Sequence, residues 1–272
     1  MLFFGKSDVG KIRSVNEDSF VTIEMCKNLL LCVICDGLGG HAGGEIASAL
    51  AILTFSDYVK MHLRPFIKPD ENTFDMNTAL LFNVNIEELL IKAVSAANSI
   101  ICERSDDDKN LKDMCTTLTA ALIIDNTLYA ANVGDSRLYF IGDDGVVTQI
   151  THDHSFAQAL VDTGKTTLEE ASKSPYSNRL TRVVGRDSFS ETDTDFYKLE
   201  LDSNIILMCS DGLYNYLKPD QYSEFLKDVT DIDTLTSAVG KFVESANENG
   251  GKDNITVIVI KNADKNPNQT VN

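Results

Sequence analysis

Apolar positions along this chain fall into two rhythms, and aspartates recur where the strand rhythm stops. Residues 29–35 (LLLCVIC) are seven apolar positions in a row, the pattern of a buried strand, and they deliver Asp36 to its C-terminal end. Glycines follow at 37, 39, 40, 43 and 44, before residues 45–63 place apolar side chains at helical spacing. Residues 86–101 repeat that spacing, so two long helices are predicted, joined by an irregular 64–84. Segments 118–124, 127–133, 137–141 and 146–150 are short and β-rich, with turns at Asp125-Asn126, Gly134-Asp135 and 143–145, and predict an antiparallel meander. Further strands are predicted at 19–24, 204–209 and 255–260, and helices at 219–227 and 234–247. Residues 153–186 break the β rhythm with helical stretches at 154–162 and 167–173 and the run Asn178-Arg179-Leu180-Thr181-Arg182; they read as an inserted lid. The polar tail 263–272 has nothing to bury and is expected to be disordered.

Composition narrows the class. The 272 residues, 43% apolar and 24% charged, fit one soluble globular domain over 1–262. No apolar run approaches the roughly 20 residues that span a bilayer, and the start MLFFGK is too short for a secretory signal, so no membrane association is expected and the cytoplasm is the expected compartment. Cys32, Cys35, Cys115 and Cys209 sit inside apolar segments and read as buried thiols. Cys32 and Cys35 form C-x-x-C, but on a strand their odd separation points them to opposite faces, which disfavours a redox pair or a metal clip. A net charge of −17 argues against a nucleic-acid ligand. So acidic a chain could handle a phosphate dianion only with local positive charge, from metal ions or a placed arginine.

Three readings compete for the glycine stretch. Gly37, Gly39 and Ala42 fit a dinucleotide G-x-G-x-x-A turn, but Asp36 would face the pyrophosphate and Asp57 falls within a helical pattern instead of ending a second strand. A plain glycine turn with a solvated aspartate is the second. The third makes Asp36 a metal ligand. Residues 5–11 (GKSDVGK) nearly spell a phosphate-binding loop, yet Ile12 stands where Ser or Thr is needed. Aspartates recur at strand ends as Asp36, Asp135, Asp211 and Asp253, each beside a glycine or asparagine. Singly each reads as a turn residue; together they point to cations, and oxygen-only ligands select Mg²⁺ or Mn²⁺ over Zn²⁺. His152-x-His154 reads as loop polarity.

Residues 13–18 (RSVNED), 36–48, Thr116-Thr117, 134–137 (GDSR), 210–213 (SDGL) and Asp253-Asn254 together resemble the ordered motifs of the metal-dependent serine/threonine protein phosphatases of type 2C, in their bacterial form. The resemblance spans nearly the whole chain. It implies an α+β fold, a four-layer α-β-β-α sandwich of two antiparallel sheets flanked by antiparallel helices, with a dinuclear metal site at one end. It implies that Asp36 bridges two Mn²⁺ or Mg²⁺ ions, that the Gly37 carbonyl binds one, and that Asp211 and Asp253 complete the other. Glu17, Asp18 and Asn254 would hold metal waters, Asp135 and Asp211 would share a looser third ion, and Arg13 would clamp the phosphate. His41 would protonate the leaving oxygen, with a plain turn histidine as the alternative. The implied reaction is hydrolysis of phosphoserine and phosphothreonine in protein substrates of a Ser/Thr kinase, by direct attack of a water bridging the metals, in an expected monomer. A pseudophosphatase that binds phosphoproteins without turnover is one alternative, and a hydrolase of small phosphate esters is another. Two positions depart from the family: Cys115 precedes Thr116-Thr117 where glycine is usual, and Ser174 precedes Pro175 where the flap often has histidine.

Overall fold

A computed structural model describes residues 1–38, 43–164, 166–171, 173–202 and 204–262. His41 and the tail 263–272 therefore lie outside the described residues, together with the expectations placed on them. In chain order the main strands are β1 (Leu2–Asp8), β2 (Asp18–Cys26), β3 (Leu29–Leu38), β4 (Leu118–Ile124), β5 (Thr127–Val133), β6 (Arg137–Ile141), β7 (Val147–Gln149), β8 (Asp195–Glu200), β9 (Ile205–Cys209) and β10 (Ile255–Lys261). The main helices are α1 (Gly43–Leu63), α2 (Ile86–Asp107), α3 (Pro219–Leu226) and α4 (Ile232–Glu248). One sheet runs β1-β10-β9-β6-β7 and the other β8-β5-β4-β3-β2, with antiparallel neighbours throughout.

Three apolar layers hold the sandwich. Leu31, Val33 and Leu122 pack outward onto Phe55 of α1 and Leu90 of α2. Leu30, Cys32, Ile34 and Ala121 meet Met208 and Ile258 between the sheets. Leu207, Val257 and Val259 pack against Tyr222 of α3 and Phe242 of α4. The period-2 alternation sends Cys32 into the inter-sheet layer and Cys35 into the helix-facing one, as the odd spacing requires. The α2 start is capped by the Asn85 side chain, which accepts from the backbone N–H groups of Glu87 and Glu88, and α4 is capped by Asp231 through Thr234.

The predicted meander is two hairpins in two different sheets. β4 and β5 pair in one; β6 and β7 belong to the other, and the chain crosses between them at Gly134-Asp135-Ser136. Gly134 has φ 109°, and a Cβ there would meet Thr117 side-chain carbons at 2.6 Å, so the crossing needs glycine. β3 also runs past Cys35, because Asp18 pairs with Asp36, Gly37 with Thr116 and Leu38 with Cys115. Asp36 thus lies inside a paired strand. β1 and β8 had no sequence expectation: one is only partly buried, and the other (DFYKLE) mixes charged with apolar positions.

Candidate metal centre

At one end of the sandwich, Arg13, Glu17, Asp36, Asp135, Asp211 and Asp253 line a cavity of about 180 Å³. Each aspartate arrives on a different element. Asp36 comes from β3, Asp135 from the sheet-to-sheet crossing, Asp211 from the start of a one-turn helix, Asp211–Tyr214, after β9, and Asp253 from the loop before β10.

Asp36 is fixed by its main chain. Its N–H donates to Thr117 Oγ1 (2.9 Å), and its carbonyl accepts from the Thr117 N–H (2.9 Å) and from Thr116 Oγ1 (2.9 Å). Thr117 Oγ1 also meets Ser136 Oγ at 2.9 Å, which ties the Asp36 strand to the turn carrying Asp135. The Cys115 departure leaves these contacts intact; its Sγ accepts from Arg186 at 3.2 Å. A methyl built on Gly37 would run into the Gly44 carbonyl, so glycine is what lets α1 start this close to β3.

Beneath the cavity, buried Asp18 accepts from Ser210 Oγ (2.7 Å) and Thr256 Oγ1 (2.7 Å) through Oδ2, while its Oδ1 has no partner. Asn254 spends its side chain on backbone: Nδ2 donates to the Val9 and Val15 carbonyls (3.0 Å each), and Oδ1 accepts from the Glu17 N–H (2.8 Å). It thereby holds the 9–17 loop at the site. Arg13 is half-exposed and donates to Asp253 Oδ2 at 2.8 Å, with Glu17 3.9 Å away.

Electrostatically the cleft is overloaded with negative charge. Burial, then repulsion from Asp18, Asp211, Asp135 and Asp253, pushes the Asp36 carboxyl well above the usual carboxylate range. Asp211 is raised in the same way, by burial and then by Asp135, Asp253 and Asp18. Burial lifts Asp18 to about 6 despite its two hydroxyl donors, and Asp135 to about 6 with Asp153 adding repulsion. Glu17 also rises, through burial, against the pull of Arg13. Carboxylates crowded in this way call for a divalent cation, and the orphaned Asp18 Oδ1 is a further acceptor without a donor. Among the described residues no three carboxylate, imidazole or thiol groups are yet drawn tightly enough to hold one ion between them. The aspartates instead ring a shared space, and the donor set is the all-oxygen one suited to Mg²⁺ or Mn²⁺.

Several contacts here have no strong sequence signal. Arg137 forks onto Asp153 (Nη2–Oδ2 2.6 Å, Nε–Oδ1 3.0 Å) and stacks 3.6 Å over the Tyr214 ring, whose hydroxyl donates to Asp135 Oδ2 at 3.3 Å. His154 is buried, and burial pushes it below its usual range, consistent with Nδ1 accepting the Gly134 N–H (3.1 Å). Its Nε2 lies 3.1 Å from Asp195 Oδ2. Residues 153–186 are therefore rooted on the Gly134-Asp135 turn, with helices at Phe156–Asp162 and Leu168–Ala171, and Asn178 and Leu180 line the cavity.

Comparisons with known proteins give the family and the fold. The family described as Protein phosphatase 2C matches residues 11–244. A serine/threonine phosphatase, Stp, of Listeria monocytogenes is 35% identical over 256 residues, covering 94% of this chain and 94% of the relative. The crystal structure of the serine/threonine phosphatase Stp1 from Staphylococcus aureus superposes with TM-score 0.81 at 31% identity, covering 97% of this chain and 96% of that one. The catalytic domain of the serine/threonine protein phosphatase PstP, crystallised with two manganese ions, gives 0.73 at 32% identity, covering 94% and 96%.

Proposed function

Since this chain belongs to the protein phosphatase 2C family, a metal-dependent enzyme family, we propose that its acidic cleft hydrolyses phosphoserine and phosphothreonine in protein substrates. The carrying observation is the convergence of Asp36, Asp135, Asp211 and Asp253, from four separate elements, on one cavity with Arg13 at its mouth. Asp36, the Gly37 carbonyl, Asp211 and Asp253 would hold the two tight ions, and Asp135 with Asp211 a looser third. Bound Mn²⁺ or Mg²⁺ would supply Lewis-acid neutralisation of the phosphoryl oxygens and activation of water for in-line attack.

The chain's own residues do the rest. Thr116, Thr117 and Ser136 hold Asp36 and the Asp135 turn in register, so the site needs little reorganisation. Asn254 fixes the 9–17 loop, which sets Arg13 at the mouth. Arg13 has Asp253 as its strongest partner; a cation competing for that carboxylate would release the guanidinium fork to a phosphate. Glu17 and Asp18 are proposed to orient water, and His41 to protonate the leaving oxygen. The reading takes residues 1–262 as one catalytic domain with 153–186 as its flap, and the protein as a cytoplasmic monomer acting on the products of a Ser/Thr kinase. Six free cysteines, most of them buried, support a reducing compartment, and no described helix is long and apolar enough to cross a membrane.

The test is hydrolysis of phosphothreonine, phosphoserine and phosphotyrosine peptides with Mn²⁺ and with EDTA. Turnover of the first two that EDTA abolishes is expected. Tight phosphopeptide binding without phosphate release would mark a binding module instead.

A further inference from the structure

The cleft is acidic and the whole chain carries −17, yet its mouth is rimmed by exposed cations. Lys252 directly precedes Asp253 of the cavity lining. Lys11 lies two residues before Arg13, and its N–H donates to the Gly251 carbonyl at 2.7 Å, which lays the two loops side by side. In residues 153–186, Arg179 sits between the lining residues Asn178 and Leu180, with its guanidinium 5.9 Å from the Tyr176 ring. All three cations are exposed, and among the described residues none is ion-paired, whereas Arg13, Arg137, Arg182 and Arg186 all are. The nearby acids are already engaged: Asp253 and Glu17 face Arg13, and Asp8 accepts from the Gly10 N–H and from Asn247. Ile12, 71% exposed, and Tyr176, 57% exposed, add apolar surface next to these cations in the chain.

We propose that this rim selects phosphopeptides whose residues flanking the phosphoamino acid are acidic. The inference rests on the phosphatase reading and deepens it by naming a substrate class. A phosphopeptide seated in the cleft has to pass this rim, because Lys252 and Arg179 adjoin lining residues and Lys11 lies two residues from the lining residue Arg13. Three uncompensated cations there complement carboxylates on the peptide, while the rest of so acidic a surface repels them. Selection is thus confined to the mouth. Apolar side chains next to those carboxylates can rest on Ile12 or Tyr176.

The experiment uses the full chain with Mn²⁺ and phosphothreonine peptides differing only in flanking Asp/Glu, Ala or Lys, with p-nitrophenyl phosphate alongside. The acidic peptide should exceed the basic one in kcat/KM by on the order of tenfold, the sum of several modest exposed charge contacts. Lys11→Glu/Lys252→Glu/Arg179→Glu should erase or reverse that order while p-nitrophenyl phosphate turnover stays within about twofold. Should the triple variant not fold, salt serves on the wild type: raising ionic strength to roughly 1 M, where the Debye length falls to about 3 Å, should level the three peptides. Equal rates on all peptides, a basic preference, or p-nitrophenyl phosphate changing in parallel with the peptides would each overturn the proposal. Absence of turnover even on p-nitrophenyl phosphate would strike the phosphatase reading itself.

Discussion

At the scale of single residues, this centre is a set of carboxylates held where they are uncomfortable without a cation. Asp18 and Asp135 are both pushed to about 6, against about 3.9 in an unfolded chain. In the metal-free protein the folded state therefore holds these protons more tightly than the unfolded state, so their contribution is fully present below about pH 4 and is lost as pH rises through about 6. Thermal denaturation in EDTA should accordingly show stability falling between about pH 4 and 6, and Mn²⁺ should remove the trend. A metal-free melting temperature that rises over that window would contradict the burial and crowding inferred here. Arg13 gives a second prediction. As a phosphate clamp, Arg13→Ala should raise KM and weaken inhibition by free phosphate, costing about 1.5–3 kcal/mol, or roughly tenfold to a hundredfold in kcat/KM. Arg13→Lys should restore only part of it. Steady-state kinetics decides: if Arg13 matters only as the Asp253 partner seen at 2.8 Å, KM stays put and metal affinity or thermal stability moves instead.

Much of the site was legible in sequence because its aspartates repeat one local pattern, an aspartate beside glycine or asparagine next to an apolar strand segment. Asp36, Asp135, Asp211 and Asp253 all reach the same cavity. The contacts that hold them were not legible. Tyr214 reaching Asp135, Arg137 forked on Asp153, and buried His154 on Gly134 join residues distant in sequence by side-chain geometry, which no periodicity encodes.

At the scale of elements, the two long helices and the strands flanking the site follow from spacing, while the meander shows where spacing stops. β4 and β5 are almost wholly buried, and β6 nearly so, so their apolar runs cannot say which sheet each joins. That choice is made at Gly134 by a backbone turn, and it matters for function because it places Asp135 between the sheets. Residues 153–186, proposed above as the flap, carry an element-scale prediction. Its backbone closes on itself where the Ala157 N–H donates to the Ser177 carbonyl (3.2 Å), so a short linker can replace 158–176 without touching the root at Asp153 and His154. That variant should keep p-nitrophenyl phosphate turnover within several-fold and lose kcat/KM on phosphopeptides more heavily, by roughly tenfold or more, since the described residues of the excised segment line no part of the acidic cavity. Parallel kinetic losses on both substrates would make the segment a scaffold.

At the scale of the molecule, two sheets and four main helices spend their apolar surface on three layers and leave one end of the sandwich to charge. A chain of net charge −17 that gathers further carboxylates into one cavity is explained only if something positive belongs there. Calorimetric titration of Mn²⁺ into the metal-free protein and its Asp211→Asn, Asp253→Asn and Asp135→Asn variants tests this most directly. Two tight sites are expected in the wild type, with tight binding lost in the Asp211 and Asp253 variants and kept in the Asp135 variant, which should lose only a weaker third event. Unchanged Mn²⁺ stoichiometry and affinity in the Asp211 and Asp253 variants would contradict the account at its centre.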